Sequence, residues 1–284
     1  MRGSRVGIFV DAENVVRSGG HGLRYDILME LALRYPGAIL QRAIIYQAVD
    51  QERQAQDEIY KNNLAGFQRA VRDMGWQIVE KPVRWFGTGT EGSPRTAKAN
   101  MDIELAVEAL TQSGGLDQYL LVTGDGDFIP LIRALQAQGK RVEVLALQNV
   151  ASELQTQADY FHSGYTIPGL VPIRENEALE WGQAGSRVRG ICTFWDNNGH
   201  YGFIRYIKSL RDIRKPAYRI NDKGEMPSPY GSAFLRGTDT PRDYPQAYLA
   251  LRQTILEFDL VESERKAGTL SAKNCKVIAS RYAQ

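Results

Sequence analysis

The stretch at residues 119–128, YLLVTGDGDF, limits the folds open to this chain more than any other. Its first four residues are a short apolar run with the length and character of a buried central strand. The run stops in Thr123-Gly124-Asp125-Gly126-Asp127, whose two glycines permit backbone angles closed to other residues and let the chain turn sharply. Phe128-Ile129-Pro130-Leu131-Ile132 then opens a helical pattern, with Asp127 placed as its N-cap. A threonine hydroxyl and two carboxylates thus gather at the carboxyl end of a strand, where open α/β sheets keep their ligands. Carboxylates crowded there repel, and a hard divalent cation relieves the repulsion. The same two aspartates also suit a plain turn and cap.

The chain around this stretch alternates in the same manner. Residues 6–10 (VGIFV) form another apolar run and also end in acid, at Asp11-Ala12-Glu13-Asn14. Helix is expected over 25–35, stopped by Pro36-Gly37, then strand over 42–49, a long amphipathic helix over 54–74 and strand over 76–83. A Gly/Thr/Ser/Pro-rich segment between Trp85 and Lys98 reads as a mobile loop. Helix returns over 99–111 and 128–138, the latter closed by Gly139, followed by strand over 141–147 and a short helix over 152–161. Alternation of this kind predicts an α/β fold with a parallel sheet covered on both faces. Lys98 and Asp102, four residues apart, are expected on one face of the 99–111 helix, as a surface ion pair or as a third carboxylate for a metal.

Length allows one large or two ordinary domains among 284 residues. No apolar run approaches the ~18 residues of a membrane span, and no signal peptide opens the chain, so no membrane partner is expected. Cys192 and Cys275 offer no disulfide framework, which makes a reducing cytoplasm the expected compartment. Three scattered histidines, His21, His162 and His200, without paired cysteines argue against zinc. The net charge of +2 hides a division. Residues 1–185 hold 18 Lys+Arg against 23 Asp+Glu, and residues 186–284 hold 17 against 10, so the balances are 18 − 23 = −5 and 17 − 10 = +7. A basic half beside an acidic one points to a polyanionic partner for the former, or to a solvated basic face.

Residues 166–185 have the composition of a linker, in which Leu170, Val171 and Trp181 could pack on a neighbour. Beyond them, 187–195 (RVRGICTFW) and 200–206 (HYGFIRY) read as strands joined by the turn Asp196-Asn197-Asn198-Gly199. The hairpin clusters Phe194, Tyr201 and Phe203 near Arg189 and Arg205, a set suited to stacking bases on a basic β-surface. Alternation puts Phe194 and Trp195 on opposite faces, so one of the two is core.

The ordered set Asp11-x-x-Asn14, Lys98-x-x-x-Asp102 and Thr123-Gly124-Asp125-Gly126-Asp127-Phe128, with Ala158-Asp159-x-Phe161 later, resembles the NYN domains of the PIN-like nuclease superfamily over roughly residues 5–165. The resemblance implies a PIN-like three-layer α/β/α sandwich and Mg²⁺- or Mn²⁺-dependent cleavage of RNA. On it, Asp11, Asp102 and Asp125 would hold one or two ions, with Asp127 completing the shell or orienting water. Asn14 would position phosphate or water, Lys98 would counter charge building on the phosphate, and Thr123 would bond a carboxylate. Arg84 and Arg95 are weaker candidates for gripping the RNA backbone.

The second half resembles the cold-shock domain, a small all-β OB-fold barrel, over about residues 186–280. Gly199-His200-Tyr201-Gly202-Phe203-Ile204 is similar to that family's first RNA-binding motif, 190–196 (GICTFWD) to the strand before it, and Ala233-Phe234-Leu235-Arg236-Gly237 to its second motif. Residues 254–261 and 268–278 look like the two closing strands. The likeness implies single-stranded nucleic-acid binding by Phe194, His200, Tyr201, Phe203, Phe234, Arg189, Arg205 and Arg236. Here Gly199 and His200 replace the first motif's lysine and glycine, Arg236 replaces a histidine, and residues 207–231 stand in place of a short turn. That insert holds Lys208, Arg211, Arg214, Lys215, Arg219 and Lys223, either a phosphate-binding extension or a surface insertion.

The expectation is therefore a nuclease domain over 1–165, a linker over 166–185 and a cold-shock-like domain over 186–284. Together they would make a metal-dependent ribonuclease acting on single-stranded RNA, with single-stranded DNA as a further ligand, and an endonuclease if the groove is open at both ends. The rival expectation is an RNA-binding regulatory or scaffold protein whose acidic pocket holds metal without turnover. A phosphotransferase with an aspartyl nucleophile fits worse, because its Asp-x-Asp follows the first strand, where this chain has Asp11-Ala12-Glu13.

Overall fold

In the computed structural model, which describes residues 3–87, 96–173, 180–210, 213, 228–263 and 268–280, the apolar runs 6–10 and 119–122 become neighbouring strands of one sheet. The elements of the first part are β1 (Arg5–Asp11), α1 (Ala12–Arg17), α2 (Tyr25–Ala32), β2 (Ile39–Val49), α3 (Gln51–Gln56), α4 (Glu58–Asp73), β3 (Gln77–Pro82), β4 (Arg84–Phe86) and β5 (Thr96–Lys98). They continue as α5 (Asp102–Thr111), β6 (Gln118–Val122), α6 (Ile129–Ala137), β7 (Arg141–Ala146), α7 (Ser152–Gln157) and β8 (Tyr160–Ser163). Six of the strands form one sheet in the order β3-β2-β1-β6-β7-β8, and β3, β2, β1, β6 and β7 run parallel.

Both faces of this sheet are buried, which is why β1 and β6 read as continuous apolar runs and not as alternating ones. On one face Phe9, Ile44, Tyr46, Tyr119, Leu121, Val142 and Val144 share a core with Leu105 of α5, Ile132 and Leu135 of α6, and Leu154 of α7. On the other face Val6, Ile8, Val10, Ile45, Leu120 and Val122 are equally shielded. The expected α/β class with a parallel sheet is the observed one.

Four local expectations need correction. The helix expected over 54–74 is two helices, because Asp57 adopts an extended backbone and caps α4 by accepting the Tyr60 N–H at 2.9 Å. The ends of the expected loop pair instead as an antiparallel hairpin, Arg84 opposite Lys98, while 88–95, with Arg95, lie outside the described residues. The helix expected over 152–161 stops at Gln157, where Ala158 turns extended and Asp159 accepts the Val142 N–H at 2.7 Å, leading the chain into β8. Asp127 is no cap; Asp125 fills that place.

The second part contains β9 (Arg187–Asp196), β10 (Tyr201–Ile207), β11 (Tyr230–Arg236), β12 (Thr254–Glu262) and β13 (Leu270–Ser280). They close a barrel in the ring order β10-β11-β13-β12-β9, all pairs antiparallel except β11 with β13. This is an OB-like barrel. Its interior is Val188, Cys192, Trp195, Ile204, Ala233, Leu235, Leu256, Phe258 and Leu260 with their neighbours. Close approach explains one glycine here: a Cβ on Gly202 would meet the Phe194 carbonyl oxygen at 2.5 Å and the Trp195 ring at 2.7 Å.

By contacts the chain divides into two compact units, residues 1–21 with 36–161 and residues 22–35 with 162–284. The segment with linker composition therefore belongs, where it is described, to the second unit. Leu170 and Val171 are buried, the Leu170 carbonyl accepts the Arg24 N–H at 2.9 Å, and the Trp181 indole donates to the Ile207 carbonyl at 2.8 Å. Of the insert over 207–231, residues 211–212 and 214–227 lie outside the described residues, with Arg211, Arg214, Lys215, Arg219 and Lys223 among them; Lys208 is exposed. No helix among the described residues is long and apolar enough to cross a membrane.

Candidate metal centre and nucleic-acid face

Strands β1 and β6 are adjacent and parallel, with Val10 opposite Val122, so both chains leave the sheet side by side. One runs on toward β2 on its flank and the other toward β7 on the opposite flank, a switch point of the kind that opens a crevice in such sheets. Asp11 leaves β1 as the N-cap of α1, one oxygen accepting the Asn14 N–H at 3.0 Å and the other the Thr123 hydroxyl at 3.3 Å. The Asn14 side-chain oxygen accepts the Gly124 N–H at 2.8 Å, and the Thr123 hydroxyl accepts the Asp125 N–H at 3.2 Å. Asp125 in turn accepts the Asp127 N–H at 2.9 Å, winding the turn that leads into α6. Neither Gly124 nor Gly126 takes the left-handed angles the sequence suggested. Gly126 matters through room instead, since a Cβ there would lie 3.2 Å from Ala151 Cβ.

Asp102 reaches the same place from α5, as that helix's first residue. Its N–H donates to the Asn100 side chain at 2.7 Å, an Asx turn that starts the helix at Asp102. Lys98 lies in β5, off the helix, so the expected shared helical face of Lys98 and Asp102 does not exist. Asp102, Asp125 and Asp127 offer carboxylate oxygens that all lie within 4.8 Å of one another. Octahedral coordination at magnesium distances spans about 4.2 Å between opposite ligands, so small side-chain rotations fit the trio to such an ion. An all-oxygen, all-anionic donor set also suits a hard cation and not zinc.

Asp11 stands outside this trio, held by its two hydrogen bonds. Burial pushes its carboxyl up to about 6, against the lowering effect of the Asn14 N–H and with a smaller upward push from Asp102. The Asp102 carboxyl is also raised, first by burial and then by the charges of Asp125 and Asp127. The pocket thus concentrates negative charge that the protein fold opposes, which is the electrostatic condition for capturing a cation.

On the barrel, the β9–β10–β11 register places Phe194 opposite Phe203 and Phe203 opposite Phe234, with Tyr201 two residues before Phe203 on the same face. The four rings form one cluster, with centroids of neighbouring pairs 5.7–6.3 Å apart. Phe194 and Phe203 are 49% and 39% exposed, whereas Trp195 is 7% exposed inside the barrel. Arg205 shares the ring face as the next alternate residue of β10, and Arg236 lies opposite Tyr201 at the end of β11. His200 precedes β10 in a left-handed backbone conformation, with its side chain exposed.

Arg189 is a correction. It is buried, donates to Glu257 at 2.9 Å and to the Val171 carbonyl at 2.9 Å, and lies over the Tyr165 ring, so it serves the packing of this unit. Sequence reasoning missed Asn100, though Asn-x-Asp before a helix is a readable Asx-turn signal. It also missed Gln246, which a turn far along the chain brings beside His200, and for which no local signal existed.

Residues 5–170 match the NYN domain. This chain belongs to the NYN domain family. The matched span takes in Asp11, Asn14, Asp102, Thr123, Asp125 and Asp127, and the family's place in the PIN-like nuclease superfamily points to nucleic acid as a class of substrate. The chain is similar to the Low amplitude and bright protein LabA of Synechococcus elongatus, 27% identical over 165 residues that cover 56% of this chain and 83% of that protein. The chain is also similar to an uncharacterized protein of Methanocaldococcus jannaschii, 36% identical over 70 residues, 24% of this chain and 29% of that one. A crystal structure of a protein of unknown function from Vibrio parahaemolyticus aligns with a TM-score of 0.43 at 23% identity, covering 57% of this chain and 93% of the other.

Proposed function

We propose that this NYN protein is a Mg²⁺- or Mn²⁺-dependent ribonuclease that cuts single-stranded RNA internally, with its cold-shock-like barrel binding the substrate. The observation that carries the reading is the convergence of Asp102, Asp125 and Asp127 within 4.8 Å at the carboxyl end of a parallel sheet. These three would hold the ion, and a bound divalent cation supplies Lewis-acid polarisation of the scissile phosphate and a more acidic water. Asp11 adds charge beside Asp102 and is kept in place by Thr123 and the Asn14 backbone, while the Asn14 side chain tethers the 123–127 turn to α1. The barrel's rings stack unpaired bases, and the basic balance of its sequence attracts the phosphates.

The test incubates labelled single-stranded RNA with the protein in Mg²⁺ or Mn²⁺, with EDTA and Asp125→Asn as controls. Loss of an outer partner of a metal site costs ~10–100-fold, so loss of a ligand in Asp125→Asn is expected to slow cleavage by at least about a hundredfold. Binding of the RNA should be largely kept. RNA left intact under every metal condition would reject catalysis and favour an RNA-binding scaffold that holds an ion without turnover.

A further inference from the structure

At the edge of the ring cluster lies an open cavity of about 510 Å³, lined by Tyr201 and Phe234 together with His200, Arg236, Thr238 and Gln246. The Tyr201 and Phe234 rings are 5.9 Å apart and tilted by only 28°, so they present faces of nearly one orientation, as stacking of a single base requires. The wall is built in advance. Gln246 donates its amide to the Gly237 carbonyl at 3.2 Å and to the Thr240 hydroxyl at 3.1 Å, the Thr240 hydroxyl donates to Gly237 at 2.6 Å, and the Gly237 N–H donates to the His200 carbonyl at 2.7 Å. Arg236 sits opposite Tyr201 in the strand register and lines the cavity, so a planar fork of donors is within side-chain reach of a base on that ring.

From this we infer that the cavity is a single-base subsite selecting guanine, with Tyr201 and Phe234 stacking the ring system and Arg236 donating to O6 and N7. Among unpaired bases, guanine offers an arginine fork the adjacent acceptors O6 and N7, and cytosine offers O2 and N3; adenine turns an amino donor toward it, and uracil has a donor between its two acceptors. Guanine's fused rings can cover both Tyr201 and Phe234, whose centroids are 5.9 Å apart, whereas the single ring of cytosine covers one. The inference rests on the reading of the barrel as a single-strand binder, and it turns that sequence-tolerant surface into one with a preferred base at a fixed position.

The test measures fluorescence anisotropy of the full chain in EDTA with oligouridylate carrying one central G, A or C, or none. The G-containing strand is expected to bind roughly tenfold tighter, within the discrimination one bidentate pair gives. Replacing that G by 7-deazaguanosine should remove most of the gain, inosine should keep it, and Arg236→Gln should bind the G-containing and all-uridine strands with equal affinity. Equal affinity for all four strands, or a G preference that survives 7-deazaguanosine or Arg236→Gln, overturns the subsite and leaves the single-strand reading standing. Failure to bind any of the strands overturns that reading and the subsite with it.

Discussion

Asp11 illustrates how a single buried carboxylate ties this chain's chemistry to its stability. Folded, it keeps its proton up to about pH 6, whereas an unfolded aspartate releases it near about 3.9. Between those values the folded state binds more protons than the unfolded one, so the contribution of Asp11 to stability falls as pH rises from about 4 to about 6. Urea unfolding of metal-free wild type and Asp11→Asn at both ends of that window should show the difference between them shifting against the wild type at the higher pH. A constant difference would contradict the assignment. Asn100 acts one step further from the ion. Its side chain holds the Asp102 N–H at the start of α5, so Asn100→Ala should cost about 1 kcal/mol of stability, and it should also weaken Mn²⁺ binding measured by calorimetry. Unchanged affinity for the ion would make Asn100 a helix-starting residue only.

At the scale of elements, the three strands carrying the ring cluster make a separate prediction. Tyr201→Ala together with Phe203→Ala should weaken binding of single-stranded RNA by the full chain, because each base stacked on a ring is worth about 1–3 kcal/mol. Melting of the double variant should be little changed, since Phe203 is exposed and the barrel interior is built from the opposite face of β10. Unaltered affinity would remove the ring face from RNA binding. Strands such as 6–10 and 119–122 were legible in the sequence because burial on both faces leaves only apolar residues to read. The alternation of Phe194 and Trp195 was legible for the complementary reason, one face wet and one dry. The break at Asp57 was hidden because residues 51–60 hold neither glycine nor proline to mark it, and the burial of Arg189 by a partner, Glu257, that lies 68 positions away. The aspartates could be picked out as candidates by their position after strands. Their grouping could not be: Asp127 completes the trio through the winding of the 125–127 turn, and Asp11 is drawn aside by hydrogen bonds to Asn14 and Thr123.

Across the whole molecule, charge is distributed unequally, −5 over residues 1–185 and +7 over residues 186–284 by the counts above. A polyanion held by the basic half releases counterions on binding, so affinity for single-stranded RNA in EDTA should fall with salt. Three phosphate contacts would give roughly a twentyfold loss between about 50 and about 200 mM. A salt-independent affinity would mean that the basic residues face solvent and the rings act alone. The account as a whole depends on a divalent ion lying among three acids brought together from two parts of the sequence. A crystal of the full chain soaked in Mn²⁺ and recorded at a wavelength where manganese scatters anomalously tests that most directly. The expected result is an anomalous peak within coordination reach of Asp102, Asp125 and Asp127. A map with no peak there, or with manganese bound only elsewhere on the protein, would contradict the metal centre and the nuclease reading built upon it.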